Sequence, residues 1–178
     1  MANSDFYYGA YPAEYSNSLS GIFNMKMRNG NTTDFVHAVQ LGIWGFDLSS
    51  EGPINKKSGS SYLFNYRYSY SGLADKISGS DEGLNYQDLA FKINLPTKKL
   101  GTFTFWGIGL LDKIIQRPED DPKQWETSME RQEQKADFQK GAIGMAHTLS
   151  WNDNTYLRSN IGITFSGTKA ENHIMIMN

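Results

Sequence analysis

The side chains that most often carry out chemistry are scattered along this chain rather than grouped. Its three histidines, His37, His147 and His173, are far apart in sequence, and none has a second histidine at the spacing that metal sites need. The chain contains no cysteine, which excludes disulfides, thiolate ligands and cysteine nucleophiles among its 178 residues. We therefore predict no metal site and no cofactor.

Two short motifs also lack the context that a catalytic or binding signature requires. The acidic run 119–121 is not embedded in the ligand spacing of an EF-hand, so a solvated loop is the better interpretation. The Gly107-Ile108-Gly109 motif is not followed by the change from strand to helix that a phosphate-binding loop shows. No GxSxG motif is present. We predict no catalytic residues, and we expect the protein not to be an enzyme.

Composition narrows the class of protein further. The chain has 17 basic and 19 acidic residues, and the basic ones form no stripe, so we expect no nucleic-acid partner. The mean hydropathy of -0.54 argues against membrane-spanning helices. An aromatic content of 13% together with 17 glycines favours β-structure, including strands that cross membranes with alternating polarity.

A period of two residues dominates the chain and predicts an all-β protein. Between Tyr62 and Tyr70 every second residue is aromatic, which places five aromatic side chains on one face of a strand. The stretch 35–48 is apolar in both phases and predicts either one bulged strand or two strands meeting near Gly42 or Gly45. Further strands are predicted at 88–95, 102–110, 138–151 and 155–166, giving six or seven in total.

The predicted connections alternate between short and long. The turns at 96–99 and 152–154 are short, whereas 72–83 and the charged stretch 112–137 are predicted to be long loops. This alternation is typical of outer-membrane barrels, in which the short turns are periplasmic and the long loops extracellular. Strands of about 9–11 residues are also long enough to cross a bilayer. The pattern therefore favours a membrane barrel over a half-buried sheet in a soluble protein, which would show the same period.

The beginning and the number of strands predict that the chain is part of something larger. Residues 1–8 contain neither a basic region nor an apolar region of the kind found in secretory signal peptides. Six or seven strands are fewer than the roughly eight of the smallest barrels.

The N-terminal third carries more specific motifs. The sequence PAEYSN at 12–17, followed by LSGIFNMKMRNGN at 19–31, resembles the last segment of the plug domain of TonB-dependent outer-membrane receptors. Ser16 departs from the glycine that is usual in that family. The EGP element within 46–54 and the strand at 61–69 resemble the periplasmic turn and first barrel strands of such receptors from Bacteroidota.

The resemblance implies two parts, with residues 1–31 as the C-terminal end of the plug and residues 32–178 as the first strands of a large antiparallel transmembrane β-barrel. It implies an outer-membrane location, contact with outer-membrane lipid, coupling to the TonB complex through a segment outside this chain, and uptake of an extracellular nutrient. Ligand contacts would come from the loops at 72–83 and 112–137, where Trp125 is a candidate stacking platform.

Two alternatives remain open from the residues alone. A plugless porin or structural barrel would explain the alternation but not the segment from Pro12 to Asn31. A soluble all-β binding domain would explain the strands and would fold as a unit in water.

Overall fold

The computed structural model describes residues 4–9, 15, 20–70, 83–118 and 132–174. Within these ranges the regular structure is β, and no helix there is long and apolar enough to span a membrane. The strands are β1 (Asp5–Tyr8), β2 (Gly21–Asn24), β3 (Val36–Gly42), β4 (Gly45–Asn55), β5 (Ser60–Tyr70), β6 (Gly83–Pro96), β7 (Thr102–Gln116), β8 (Gln132–Asn152) and β9 (Thr155–Ile174).

Strands β3 to β9 form one antiparallel sheet of seven strands in chain order. Strands β1 and β2 form a separate antiparallel hairpin. The prediction of an all-β chain is confirmed for the described residues. The large sheet has seven strands, the upper of the two predicted numbers, and β1 and β2 add two strands that this count did not include. Because every strand of the large sheet pairs with its neighbours in sequence, the sheet needs only hairpin connections.

Three tight turns lie at one end of the large sheet, which we call the short-turn end. They connect β4 to β5, β6 to β7 and β8 to β9. In the β6–β7 turn, the backbone N–H and the hydroxyl of Thr97 donate to the Gly101 carbonyl at 2.8 and 2.7 Å. Gly101 has a φ of 75°, a value that a side chain disfavours. The turn is therefore fixed by its own residues.

The stretch 35–48 contains two strands rather than one bulged strand. Strands β3 and β4 pair from Val36↔Glu51 to Gly42↔Gly45, and the hairpin turns at Ile43 and Trp44. Gly45 has a φ of 135°, and a Cβ there would lie 2.0 Å from the Tyr68 carbonyl oxygen. Glycine is thus required at this corner by both conformation and space.

The prediction of a loop over the whole of 112–137 is wrong, because β7 continues to Gln116 and β8 begins at Gln132. These strand ends carry charged side chains on one face, so their polarity resembles that of a loop. In the N-terminal segment, strand β2 ends at Asn24. Beyond Asn24, side chains of the large sheet bind the backbone instead.

Strands β6 to β9 are also longer than the strands predicted at 88–95, 102–110, 138–151 and 155–166. They contain 14, 15, 21 and 20 residues. The predicted loop at 72–83 lies outside the described residues except for Gly83, which begins β6.

Aromatic rings cover glycines directly opposite them in the sheet. Three cross-strand pairs show this arrangement: Phe91 with Gly107, Trp106 with Gly144, and Phe165 with Gly141. A Cβ on each glycine would lie 2.1–2.6 Å from the facing ring. These contacts explain why the alternation in β7 is weak in the sequence, because the ring of a neighbouring strand fills the place of the missing side chain.

The large sheet is a single layer and has no hydrophobic core of its own. Among the described residues, the side chain of Ser61 is fully buried at 0% exposure, and no large side chain is below 2%. A domain normally buries a sheet face against a second layer. No second layer of the described residues therefore covers the apolar face of this sheet.

Candidate functional site

The register of the large sheet separates its side chains into two faces of different character. Residues paired across strands share a face, and residues along a strand alternate between faces. The apolar face carries Val39, Leu41, Phe46, Leu48, Phe64, Tyr66, Tyr68, Leu89, Phe91, Ile93, Phe105, Leu111, Ile143, Met145, Ile161, Ile163 and Phe165. The polar face carries Gln40, Asp47, Ser49, Glu51, Asn65, Arg67, Asp88, Lys92, Asn94, Thr104, Lys140, Arg158, Asn160 and Thr164.

The apolar face is open across the whole width of the sheet. Val39 on β3 is 63% exposed, and Ile161 and Ile163 on β9 are 64% and 63% exposed. Exposed apolar patches larger than a few hundred Å² on a folded protein mark a contact surface. The patch extends in register across all seven strands, so it forms one continuous surface for contact.

The polar face carries a row of opposite charges across three neighbouring strands. Asp47, Arg67 and Asp88 are paired in register on β4, β5 and β6. The Arg67 Nε donates to Asp88 Oδ2 at 2.7 Å, and the guanidinium lies 5.3 Å from the centre of the Tyr86 ring. Asn65 donates from its side-chain amide to Asp47 at 3.0 Å. The side chains of this face are thus mostly of the kind that bind water or form hydrogen bonds. Trp106, Ile108 and Leu110 on β7 are an apolar exception.

The N-terminal segment, residues 20–34, approaches this polar face near the short-turn end. Arg28 forms a two-pronged ion pair with Glu51 on β4, and one prong, from Nη2 to Oε1, measures 2.7 Å. The Glu51 carboxylate also accepts the backbone N–H of Asn31 at 3.0 Å. The hydrogen bonds to the Glu51 carboxylate raise the pKa of the Arg28 guanidinium above its ordinary value.

Two further contacts fix the same segment. Lys92 on β6 reaches across and donates from Nζ to the Met27 carbonyl at 2.7 Å. Gly30 is buried, and a Cβ there would lie 1.8 Å from the Tyr62 carbonyl oxygen. The backbone at Gly30 therefore lies closer to β5 than any residue with a side chain could approach.

The β1–β2 hairpin continues from this segment toward the N-terminus. Its rings Phe6 and Phe23 lie 6.4 Å apart, and Asp5 pairs with Lys26 at 2.8 Å. The hairpin is thus tied to the residues just before Met27. Residues 10–14 and 16–19, which hold most of the PAEYSN motif, lie outside the described residues.

The histidines that the sequence scatters remain apart in the structure. His37 lies on the apolar face near the short-turn end, where its Nδ1 is 3.0 Å from the Ser50 hydroxyl. His147 stacks on Phe103 with ring centres 4.3 Å apart and donates from Nε2 to the Leu100 carbonyl at 2.6 Å. His173 pairs in register with Glu133 near the opposite end of the sheet. In the described part of the chain, no three acidic, histidine or cysteine side chains are grouped to hold a metal ion.

The remaining candidates are divided between the sheet and the part of the chain that is not described. Trp125 and the acidic run 119–121 lie outside the described residues. Gly107 and Gly109 lie in the middle of β7. Sequence reasoning did not assign a role to Glu51, because nothing local links it to Arg28, 23 residues earlier. Only the β3–β4 hairpin brings the two together.

A scan against protein-family models finds no match, and searches of curated proteins and of solved structures find no significant match either. The two faces of the sheet and the segment on the polar face therefore carry the functional argument.

Proposed function

We propose that the chain forms part of the wall of a large outer-membrane β-barrel, a receptor of the TonB-dependent type that binds an extracellular nutrient and takes it up. Residues up to Asn31 are the end of the plug in this proposal, and the large sheet begins the wall. One observation carries the proposal: the sheet is a single layer with an exposed apolar face, while its opposite face is polar and holds the N-terminal segment.

Lipid is the medium that satisfies the apolar face without a second protein layer. In a bilayer every backbone polar group must be paired within the protein, which a closed sheet achieves. An outward apolar band and an inward polar face are the pattern of transmembrane barrels. Edge strands β3 and β9 would then pair with further strands of the same wall rather than remain open.

The contacts of the N-terminal segment support the plug part of the proposal. Arg28, Lys92 and the close approach of Gly30 hold residues 27–31 against the side of the sheet that would line the barrel. Plug domains occupy that interior in the largest barrels. A chain that goes from plug to wall must cross from the interior into the first strand, and β3 starts directly after this segment.

The membrane part is tested with single cysteines, since the chain has none of its own. We would label Ile163→Cys and Thr164→Cys with an environment-sensitive dye in the full-length protein, reconstituted in vesicles with and without doxyl-labelled lipid. Strong quenching at 163 and little at 164 is expected. Equal, weak quenching at both sites would instead favour the soluble all-β domain.

The plug part is tested by solute permeability of the same vesicles. With the interior occupied, the full-length wild-type protein should not let small sugars pass, and the vesicles should not swell in an osmotic gradient. Rapid swelling with arabinose would favour the plugless porin.

A further inference from the structure

The polarity of the apolar face changes at one row of strands β6 to β9. This cross-strand row, which we call the level row, consists of Gln87, Leu111, Gln139 and Gly167. On the short-turn side of this row, the apolar face carries side chains such as Phe91, Phe105, Ile143, Ile163 and Phe165. On the other side, the same face carries Asn85, Lys113, Lys135, Asp137, Lys169 and Glu171.

The charged rows neutralise themselves. Lys113, Asp137 and Lys169 lie side by side in register on β7, β8 and β9. In the next row Lys135 is paired with Glu171. Ion pairs also run along the strands, with Lys169 and Glu171 joined at 2.7 Å and Lys135 and Glu133 joined at 3.0 Å. Three lysines thus meet three carboxylates, so the surface has no net charge that would recruit anionic groups.

The opposite face is mixed beyond the level row. It carries the apolar side chains Ile114, Ala136, Phe138 and Ala170, together with the polar side chains Asp112, Gln116, Gln134, Thr168 and Asn172. Ile114 is paired with Ala136, which is paired in turn with Ala170. The change at the level row is thus confined to the apolar face, which turns from apolar to charged there. A different medium on that side of the sheet beyond the row would account for it.

We infer that this row lies at the outer boundary of the membrane, which the row crosses obliquely because the strands of a barrel are tilted. Below it the apolar face contacts lipid chains, and above it β7, β8 and β9 project into water with their charged face outward. The inference rests on the proposed function, since it names where the lipid ends. A charged side chain on the lipid-facing side of a barrel is destabilising at the bilayer midplane and much less so near the interfaces. The charged rows therefore belong outside the hydrocarbon.

The height of the apolar band agrees with a bilayer. On β9 the band runs from Leu157 to Phe165, a rise of about 26 Å at roughly 3.3 Å per residue. At a strand tilt of about 40° this corresponds to about 20 Å along the membrane normal, close to the roughly 25 Å apolar band of outer-membrane barrels. Ser159 is the polar exception within it.

The test uses single cysteines at 163, 165, 169 and 171 of the full-length protein in phosphatidylcholine vesicles. All four positions share one face of β9, so only depth differs between them. Dyes at 163 and 165 should be quenched by doxyl lipid and shielded from aqueous iodide, whereas dyes at 169 and 171 should show the reverse.

The possible outcomes distinguish failure of the proposed membrane boundary from failure of the proposed function. Quenching by doxyl lipid at all four positions would overturn the boundary and leave the lipid contact standing. No quenching at 163 or 165 would overturn the proposed function itself. Vesicles that include phosphatidylglycerol should give the same quenching profile. Quenching by doxyl lipid at 169 and 171 in those vesicles alone would contradict contact with water and would indicate that the charged rows bind anionic headgroups.

Discussion

At the scale of single residues, the N-terminal segment depends on one carboxylate. Glu51 binds both the Arg28 guanidinium and the Asn31 backbone N–H, and its side chain is 17% exposed. Arg28 is 46% exposed, so water screens the pair and limits its strength. The carboxylate contributes through two kinds of hydrogen bond rather than through charge alone.

Replacing Glu51 by Gln should therefore weaken the attachment of the segment by about 1–2 kcal/mol. The ion pair is lost, and the side-chain amide keeps one acceptor oxygen where the carboxylate has two. Limited proteolysis of the full-length protein near Arg28 should become faster. The exchange R28E/E51R should recover part of the protection. If E51Q leaves the cleavage rate unchanged, the ion pair does not hold the segment.

Gly30 allows a sharper test at the same scale. Gly30→Ala would force a Cβ to within 1.8 Å of the Tyr62 carbonyl, so the segment must move away or β5 must distort. We expect a loss of stability of about 1–3 kcal/mol, the usual range for overpacking, measured by denaturant unfolding. Gly109→Ala is the matched control, because a Cβ there meets nothing within 4 Å. Equal effects of the two changes would contradict the close approach.

At the scale of elements, the strands should distinguish their two faces. Ile163→Lys places a charge in the middle of the apolar band, whereas Thr164→Lys places it on the polar face of the same strand. In vesicles the first variant should lose about 2–4 kcal/mol of folding free energy and the second close to none. Urea titrations of the full-length protein, followed by heat-modifiable gel mobility, would measure both. A larger loss for Thr164→Lys would reverse the assignment of the faces.

The sequence predicts the elements well where polarity alternates and poorly where it does not. The alternation from Tyr62 to Tyr70 predicts β5 within two residues of its observed bounds. The ends of β7 and β8 were predicted as loop, because charges replace apolar residues on one face while Ile114 and Ala136 remain on the other. A search for alternating polarity assumes that each face keeps one character along the strand, and here the apolar face becomes charged toward the strand ends.

The contacts of the N-terminal segment could not be predicted from local sequence. Arg28 and Glu51 are joined only after β3 turns back on β4, and Lys92 reaches Met27 across 65 residues. The glycine at 30 is a turn residue by type, and its close approach to Tyr62 follows from the path of the segment over the sheet. The motif resemblance identified this stretch as distinct without indicating what it binds.

At the scale of the whole molecule, the seven strands β3 to β9 form one sheet, and the described residues supply no second sheet or helix that covers its apolar face. Stable soluble domains cover a sheet with helices or a second sheet. Here the described residues place apolar side chains on one open face and a polar surface with a bound segment on the other. In the proposed function, lipid covers the apolar face from outside and the plug covers the polar face from inside.

The most direct measurement is a nitroxide scan of β9 from 157 to 166 in the full-length protein in vesicles, recording collision with oxygen, which concentrates in lipid, and with a polar nickel chelate. We predict that both collision rates vary with a period of two residues. Oxygen access should be highest at 161, 163 and 165, and chelate access should be highest at 160, 162 and 164. Two in-phase profiles, or chelate access at every position, would contradict a sheet with lipid on one side only.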